Sequence, residues 1–425
     1  MFLLLYIFIT PIVSSYYIFP FTDPSKSKIN LCIGTPCQHI HMHLFFSSCV
    51  SFIHESVSKE TSVNDYIHSK SSTYEIISNE KHKEEYDLLN YAVLGLLTRD
   101  NFQITTTNFL HINRYEPIKN NTNSYFYYTN DDKHQCLLSL CYISDEEQKS
   151  FSVLEQIDLK YKVITITEHN VIFGKADAIV KDLPHFGKCA LINNDHMQNN
   201  NKNQFWECNL FGLSFHNAQS NITLFNTKLH DGVIMFEYGL NKTFFPIEML
   251  LAFETDIFGE AIENDICAFG IKNDLYTFTC NDKILETEIP LLDLEIDSFI
   301  MTIKTKDLLT YDNVNKEYEF GVYAADSNSK FILGKNVLEK YTLIYDKTHA
   351  YFGIYNKDNI NYIKGVNYQN ELFDKDYYIN TMNVSAIIDY DDKGVYLKMF
   401  IGVMSVSVLY ILIIKFYLNK LIKQI

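Results

Sequence analysis

The chain has 425 residues and a mass of 49.6 kDa, which suits two domains or lobes of moderate size. Hydrophobic residues make up 47% of the chain and charged residues 21%, a globular composition that excludes disorder throughout. The 36 Lys and Arg residues and 52 Asp and Glu residues give a net charge of −16. Phosphate contacts need clustered Lys and Arg, and the body has no basic run, so we expect no nucleic-acid partner.

The first residues form an apolar segment that is typical of a signal peptide. Residues 2–13 are almost wholly apolar, and the small residues Val13 and Ser15 fit a cleavage site. We therefore expect residues 1–15 to be a signal peptide; the alternative is a buried core segment. Four N-x-S/T acceptor motifs agree with a secreted body and begin at Asn120, Asn221, Asn241 and Asn383.

The body that follows is predicted to be mainly β. Short runs rich in β-branched and aromatic residues, bounded by polar turns, recur along it and predict strands. The clearest runs are residues 29–33, 39–45, 162–166, 205–215, 298–303, 331–333 and 341–345. Helical patterns are few and short, at residues 151–158 and 246–253, the second with Pro246 in its first turn.

Three histidines alternate along one of these strands, at His39, His41 and His43. Alternation along a strand places their rings on one face, and alternating histidines can bind Zn²⁺ or Cu²⁺. The strand also leads straight into a loop, which favours a solvated or partly buried face over a metal site. We therefore expect no metal and no other cofactor.

Nine cysteines leave at least one thiol over if the others pair, in a compartment where disulfides are allowed. Cys267 and Cys280 flank the turn-like residues 272–274, and we expect them to form a disulfide. Cys189 and Cys208 flank an Asn- and Gln-rich stretch that a second disulfide could close. The sequence leaves the pairing of the others open, namely Cys32, Cys37, Cys49, Cys136 and Cys141.

The end of the chain carries the pattern of a membrane anchor. Residues 396–418 contain an apolar run of about bilayer-spanning length: residues 399–414 carry no charge, and residues 416–418 extend the run past Lys415, whose side chain can snorkel to the surface. Aspartates precede the run and lysines follow it, so the positive-inside tendency places the tail, residues 419–425, in the cytosol. We expect a single-pass type I membrane protein with an acidic stalk at residues 371–395. Its body would lie in the endoplasmic reticulum, in another secretory compartment or outside the cell.

Within the body, several segments follow one another in the order and spacing of a known family. They are IGTPCQ (33–38), SKSSTY (69–74), GLLTRD (95–100), FWECNL (205–210), FILG (331–334), YTLIYD (341–346) and FGI (352–354). Together they resemble the motifs of the pepsin-like aspartic proteases. The signal peptide and anchor resemble those of the membrane-tethered, plasmepsin V-like members.

The resemblance implies a bilobal fold of two β lobes related by a pseudo-twofold axis, residues 16–205 and 206–370. In the family each lobe supplies one Asp, and the two share a proton and activate one water molecule. Here the first Asp position falls on Phe45, which can neither accept a proton nor hold water. The second falls on Glu237, whose carboxylate is one methylene longer, so it is either a weak catalytic group or a remnant in the cleft floor.

Other parts of the same machinery have also changed. The loop threonines that hydrogen-bond across the family's pseudo-twofold axis correspond to Phe46 and Tyr238, and the first loop's glycine is Ser47. The first lobe's glycine-containing support segment falls on residues 135–140, without its glycines, and the flap tyrosine falls on Leu88. These coincident changes predict lost catalysis.

Three functions remain open. The first, which we expect, is an inactive pepsin-like homologue that binds a peptide or protein in the cleft between the lobes. The second is a divergent aspartic endopeptidase that uses Glu237. The third is a structural or adhesive surface protein on the same fold.

Overall fold

The structure, a computed structural model, describes part of the chain. The described residues are 17–47, 51–54, 66–86, 91–107, 113–117, 123–129, 136–143, 154, 159, 161–174, 186–192, 203–204, 206–217, 223–324, 330–356 and 363–365. The predicted signal peptide, stalk, membrane span and tail lie outside these residues, as does most of the predicted helix 151–158. Within the described ranges no helix is both long and apolar enough to cross a bilayer.

These residues form mainly β-strands, as the sequence predicted. The strands before residue 206 are β1 (Tyr17–Pro20), β2 (Lys28–Ile33), β3 (Gln38–Phe45), β4 (Phe52–His54), β5 (Glu75–Tyr86), β6 (Tyr91–Thr107), β7 (Asn113–Pro117), β8 (Asn123–Thr129), β9 (Leu137–Ser139), β10 (Tyr142–Ile143), β11 (Val163–Ile166), β12 (Asn170–Phe173), β13 (Phe186–Ala190) and β14 (Asn203–Gln204). The later strands are β15 (Glu207–His216), β16 (Thr223–Lys228), β17 (Val233–Glu237), β18 (Thr243–Phe244), β19 (Cys267–Lys272), β20 (Leu275–Cys280), β21 (Leu291–Ile296), β22 (Phe299–Lys304), β23 (Leu309–Asp312), β24 (Glu317–Phe320), β25 (Val322–Tyr323), β26 (Phe331–Gly334), β27 (Tyr341–Asp346), β28 (Tyr351–Asn356) and β29 (Ile363–Gly365).

The helices are short. They are α1 (Ile247–Asp256), α2 (Gly259–Glu263) and α3 (Lys335–Leu338), with 3-10 turns at His68–Lys70, Asp282–Leu285 and Thr305–Leu308. Helix α1 confirms the helix predicted at residues 246–253, with Pro246 as its N-cap residue. It buries Leu250 and Phe253, and the ring of Phe253 packs edge-on against Phe215 of β15.

Strand β3 shows why the alternating pattern forms a half-buried strand. Ile40, Met42 and Leu44 point into the core and are fully buried, while the histidines between them point to the other face. His39 is exposed and His41 is partly buried. In the described part of the chain, no group of three or more metal-ligating side chains is placed to hold an ion.

A six-stranded sheet joins the beginning, the middle and the end of the body. Its order is β1-β12-β11-β27-β28-β13, and β11 pairs with β27 so that Val163 lies opposite Asp346. Every residue of β27 is buried, which means that the sheet is covered on both faces. Hydrogen bonds therefore connect strands that precede residue 206 with strands that follow it.

Two further sheets repeat one arrangement, which we call the first half and the second half. The first-half sheet has the order β2-β3-β9-β4-β8-β6-β5, and the second-half sheet has the order β25-β18-β26-β17-β15-β21-β22-β29. In the first half β3 runs parallel to β9, with Phe45 opposite Ser139. In the second half β17 runs parallel to β26, with Glu237 opposite Gly334.

The repeat extends to the short strand that follows each loop. Phe52 of β4 lies antiparallel to Leu137, and its equivalent, Phe244 of β18, lies antiparallel to Ile332. Both strands also run parallel to another partner, β4 to β8 and β18 to β25. The matching pairs show that Phe45 and Glu237 occupy equivalent positions in the two halves.

The disulfides agree with the sequence where it made a prediction. Cys267–Cys280 is present, which confirms the predicted pair, and Cys189–Cys208, which the sequence allowed without predicting it, is present as well. A third disulfide, Cys32–Cys37, lies across the turn between β2 and β3, and Cys141 is also disulfide-bonded. The sequence had left these residues open because their pairing depends on how the strands meet.

Candidate functional site at the paired loops

The loops that follow β3 and β17 contact each other. The backbone N–H of Phe46, directly after Phe45, donates to both carboxylate oxygens of Glu237, at 3.0 Å to Oε1 and 2.9 Å to Oε2. The two predicted site positions, Phe45 and Glu237, are therefore brought together from opposite halves. We call this pair of loops the joint.

Glu237 lies in a pocket of hydrogen-bond donors. Its side chain is fully buried, and Oε1 also accepts from the backbone N–H of Gly239 at 2.7 Å. The side-chain hydroxyl and the backbone N–H of Ser47 donate to the same carboxylate. Burial raises the pKa of Glu237 from its ordinary 4.5 to about 7, and the donated hydrogen bonds hold it below what burial alone would give.

Phe45 lies in an apolar cluster to which both halves contribute. Its ring is 2% exposed, and the buried members of the cluster are Phe45, Phe52, Leu137, Met235, Leu240, Phe244, Tyr323 and Ile332. Phe52 and Leu137 come from the first half, and the other five side chains come from the second. An apolar cluster thus occupies the position that the resemblance assigns to the first catalytic Asp.

Aromatic rings replace the loop threonines. Phe46 stacks on Tyr345 of β27 with ring centroids 4.3 Å apart, and Trp206 packs edge-on against the same tyrosine at 5.1 Å. Tyr238 stacks on Phe21 at 6.2 Å. Among the described residues, neither side chain makes the hydrogen bond across the joint that the resemblance assigns to the family's threonines, whereas the carboxylate of Glu237 does make one.

His43 adds a second contact between the halves, which the sequence did not predict. Its Nε2–H donates to the backbone oxygen of Gly239 at 2.7 Å, which places a proton on Nε2 because a carbonyl oxygen can only accept. The other nitrogen, Nδ1, is buried and has no hydrogen-bond partner among the described residues. Burial lowers the pKa of His43, and the bond to Gly239 opposes that shift.

Two glycines permit the close approach of the backbone at the joint. A Cβ added to Gly239 would lie 2.1 Å from the backbone oxygen of Leu44, which belongs to the other half. A Cβ added to Gly334 would lie 2.0 Å from the backbone oxygen of Lys242. The first-half equivalent of Gly334 is Ser139, a buried residue whose backbone N–H donates to Ser51 Oγ at 3.0 Å.

The flap hairpin is formed by β5 and β6, with Tyr86 opposite Tyr91. Leu88, to which the resemblance assigns the flap tyrosine, lies outside the described residues.

The comparisons with known proteins identify the fold. No protein-family model matches the chain, and no curated protein matches it in sequence. Its structure is similar to the crystal structure of conglutin gamma, a basic 7S globulin from lupine seeds, with a TM-score of 0.57 and 12% identity. The match covers 81% of this chain and 95% of conglutin gamma, which has a pepsin-like fold. The chain is therefore a mainly β protein with a pepsin-like fold; its activity does not follow from this similarity.

The geometry limits the chemistry of the joint. A water-activating pair needs two carboxyl groups, one to accept a proton and one to donate. The carboxylate of Glu237 faces N–H and O–H donors, and its equivalent in the other half is a phenyl ring. The arrangement can hold two loops together, but it offers a single acid in place of a pair.

Proposed function

We propose that this chain is an inactive, membrane-anchored homologue of the pepsin-like aspartic proteases that acts in the secretory pathway by binding. Its ligand would be a peptide or protein in the cleft between the lobes. The observation that carries the proposal is Phe45, a buried ring inside an apolar cluster at the position of the first catalytic Asp.

The state of Glu237 supports lost catalysis. A single carboxyl group cannot act as both acid and base on one water molecule. Both oxygens of Glu237 already accept hydrogen bonds from Phe46, and one accepts another from Gly239. A water molecule would have to displace these bonds before Glu237 could activate it.

The anchor and the compartment rest on the sequence. Residues 1–15 and 396–418 carry the signal-peptide and membrane-span patterns, and the disulfides of the body suit an oxidising compartment. The same arrangement of segments motivates the comparison with plasmepsin V-like proteins.

One observation favours the second candidate, a divergent endopeptidase. Glu237 keeps a carboxyl group at the catalytic position, and burial raises its pKa to about 7, so it is partly protonated near neutral pH. A general acid with this pKa is suited to neutral conditions.

Peptide hydrolysis separates the two candidates. The full chain in detergent should show no pepstatin-sensitive cleavage between pH 4 and 7. Cleavage that disappears in Glu237→Ala would establish the endopeptidase, whereas cleavage that persists in that variant would indicate a contaminant.

Rebuilding the site tests the same point from the other side. Phe45→Asp alone should stay inactive, because the new carboxyl group faces Phe46 and Ser47 and an acid of the wrong reach. The set Phe45→Asp, Phe46→Thr, Ser47→Gly, Glu237→Asp and Tyr238→Thr restores both loops in principle. Turnover by the single variant at the level of an ordinary aspartic peptidase would show that the remaining site is intact.

A binding assay separates a cleft receptor from a structural or adhesive protein. The full chain is incubated with a library of extended peptides that carry a photoreactive group, and the cross-linked residues are mapped by mass spectrometry. Cross-links from one peptide to residues of both halves, at the rim of the buried cluster around Phe45, support the receptor. A protein without a cleft function should give none there.

A further inference from the structure

Strand β19 is the open edge of a separate four-stranded sheet. The sheet has the order β19-β20-β24-β23, and among the described residues β19 (Cys267–Lys272) pairs with β20 alone. The two strands are joined by a two-residue turn, Asn273 and Asp274, both of which have positive φ. At the other end of the hairpin the backbone oxygen of Ile266 faces β20 and accepts from Asn281 N–H at 2.9 Å.

Alternate residues of β19 turn their backbone groups to the open side. Cys267 lies directly opposite Cys280 with the two Cα atoms 4.0 Å apart, the close spacing of an antiparallel pair that exchanges no hydrogen bonds. Bonded and non-bonded pairs alternate along such a ladder. The N–H and C=O groups of Cys267, Phe269 and Ile271 therefore point away from β20, towards the edge.

Strand β19 carries none of the features that usually block an edge. It has no Pro, and its register with β20 has no bulge. Its one charged residue, Lys272, is directed away from the edge, because its ammonium group binds three carboxylates on β23 and β24 at 2.7, 2.9 and 3.1 Å. A Cβ added to Gly270 would have no atom within 4 Å, so the space beside the strand is open.

One face of the strand beside the edge is apolar. Phe269 is partly buried, and its ring stacks on Tyr276 of β20 with centroids 6.0 Å apart and tilts against Phe278 at 4.9 Å. Ile271 lies two residues further along on the same face and is 65% exposed. A strand added at the edge would place every second side chain beside these two residues.

Both ends of the edge are acidic, whereas its middle is uncharged. Glu260, Glu263 and Asp265 come just before β19, and Asp274 lies in the turn that follows it. All four side chains belong to exposed residues, and none of them forms an ion pair within the described part of the chain. The edge is therefore suited to an occupant with cationic ends and an apolar centre.

We propose that the open edge of β19 is a docking site for an extended segment of another protein with Lys or Arg at both ends. The segment would pair with β19 as an antiparallel fifth strand, bonded to the backbone groups of Cys267, Phe269 and Ile271. Its apolar side chains would pack beside Phe269 and Ile271, and its basic ends would face the carboxylates. This site is separate from the cleft between the lobes, and it does not depend on whether Glu237 is catalytic.

The same charges disfavour a second copy of this chain as the occupant. Antiparallel self-pairing centred on Phe269 would use all three outward-facing residues of both copies. It would place Asp265 of one copy opposite Asn273 of the other and beside its Asp274, and the twofold symmetry would repeat this contact at the other end. Like charges placed together across a strand pair are destabilising, so the edge favours a basic-ended segment over itself.

A short synthetic peptide tests the proposal directly. The probe is Lys-Val-Thr-Val-Thr-Val-Lys with blocked ends and a fluorescent label, and its matched control has Glu in place of both Lys. Binding to the full chain in detergent is measured by fluorescence anisotropy. We expect the Lys-ended peptide to bind about fivefold or more tightly than the Glu-ended peptide, with a preference that decreases as salt is added.

Substitutions on β19 test the pairing itself. Ile271→Pro removes an N–H that faces the edge but no hydrogen bond to β20, so the affinity for the Lys-ended peptide should fall about tenfold or more. Gly270→Ala, with its open surroundings, is the matched control and should bind as wild type does. If Ile271→Pro does not fold, Ile271→Lys at the same exposed position decides, because its charge should repel the Lys-ended peptide.

A triple variant tests the acidic ends. Glu263→Gln, Asp265→Asn and Asp274→Asn together should remove the preference for the Lys-ended peptide, and Asn suits the positive φ at the two Asp positions. The proposal is overturned if neither peptide binds, if wild type binds both equally, or if Ile271→Pro or Ile271→Lys binds as wild type does, since the peptide then lies elsewhere. A wild-type dimer in sedimentation that Ile271→Lys dissociates would also overturn it, because the occupant would be a second copy.

Discussion

The strands on either side of the loops after Phe45 and Glu237 share one arrangement, but the residues that begin the two loops differ in their side chains. Each loop follows a strand that runs parallel to a later strand. A backbone N–H of that later strand donates to the side-chain hydroxyl that lies six residues after Phe45 or Glu237. Ser139 N–H donates to Ser51 Oγ at 3.0 Å, and Gly334 N–H donates to Thr243 Oγ1 at 3.1 Å. One loop nevertheless begins with a buried ring and the other with a buried acid.

This difference shows which parts of the fold depend on the residues that begin the two loops. The strand pairing and the hydroxyl contacts are made by backbone groups and by side chains behind the loops, so they survive when the loop residues change. The contact across the axis does depend on the loops. The longer side chain of Glu237 makes it by accepting from the backbone N–H of Phe46, whereas the side chain of Phe46 has no polar atom and the ring of Tyr238 stacks on Phe21.

The largest expected effect comes from adding a methyl group where the second half has no space. Gly334→Ala places a Cβ 2.0 Å from the backbone oxygen of Lys242 and 3.0 Å from that of Leu240, so backbone must move. We expect a loss of more than about 4 kcal/mol in the free energy of unfolding, or failure to fold. Denaturant unfolding measures this loss in the free energy of unfolding.

Two control variants sharpen this first test. Gly270→Ala, with no atom within 4 Å of the new Cβ, should change stability by at most about 0.5 kcal/mol. Ser139→Gly, at the equivalent first-half position, should cost about 1 kcal/mol. A Gly334→Ala variant as stable as Gly270→Ala would show that the close approach is not present.

The second effect concerns the ring that replaces the first Asp. Phe45→Ala removes a side chain that is 2% exposed and leaves a cavity between the halves. We expect a loss of about 3–5 kcal/mol, the usual cost of truncating a buried Phe. Val314→Ala, at a residue that is 88% exposed, is the matched control and should change little. A loss below 1 kcal/mol for Phe45→Ala would argue against a packed cluster at the joint.

The smallest of the three effects tests whether Glu237 has a structural role. Glu237→Asp restores the family residue but shortens the side chain by one methylene, so its carboxylate should no longer reach Phe46 N–H. A buried donor without a partner costs about 1–3 kcal/mol, and we expect a loss in that range at pH 7. Glu248→Asp on the exposed face of α1 should be nearly neutral. If Glu237→Asp were more stable than wild type, the hydrogen bond across the joint would not be what holds the loops.

The sequence by itself determined the class of fold and the positions of the two loops. Alternating apolar residues such as Ile40, Met42 and Leu44 specify a half-buried strand locally, and the ordered motifs place Phe45 and Glu237 at equivalent points of a duplicated arrangement. The pair Cys267–Cys280 was also predicted, because its two cysteines lie close in sequence around a polar turn, whereas the sequence only allowed Cys189–Cys208.

Only the tertiary structure decided what those loop residues do. The sequence assigned His43 to a solvated or partly buried strand face and left Glu237 between a weak catalytic group and a remnant. Both make contacts to the other half of the chain, across separations of 196 residues to Gly239 and 191 residues to Phe46. Strand patterns depend on neighbours in sequence, whereas a hydrogen bond at the joint depends on where two distant backbones meet. Its existence therefore follows from packing that no local pattern contains.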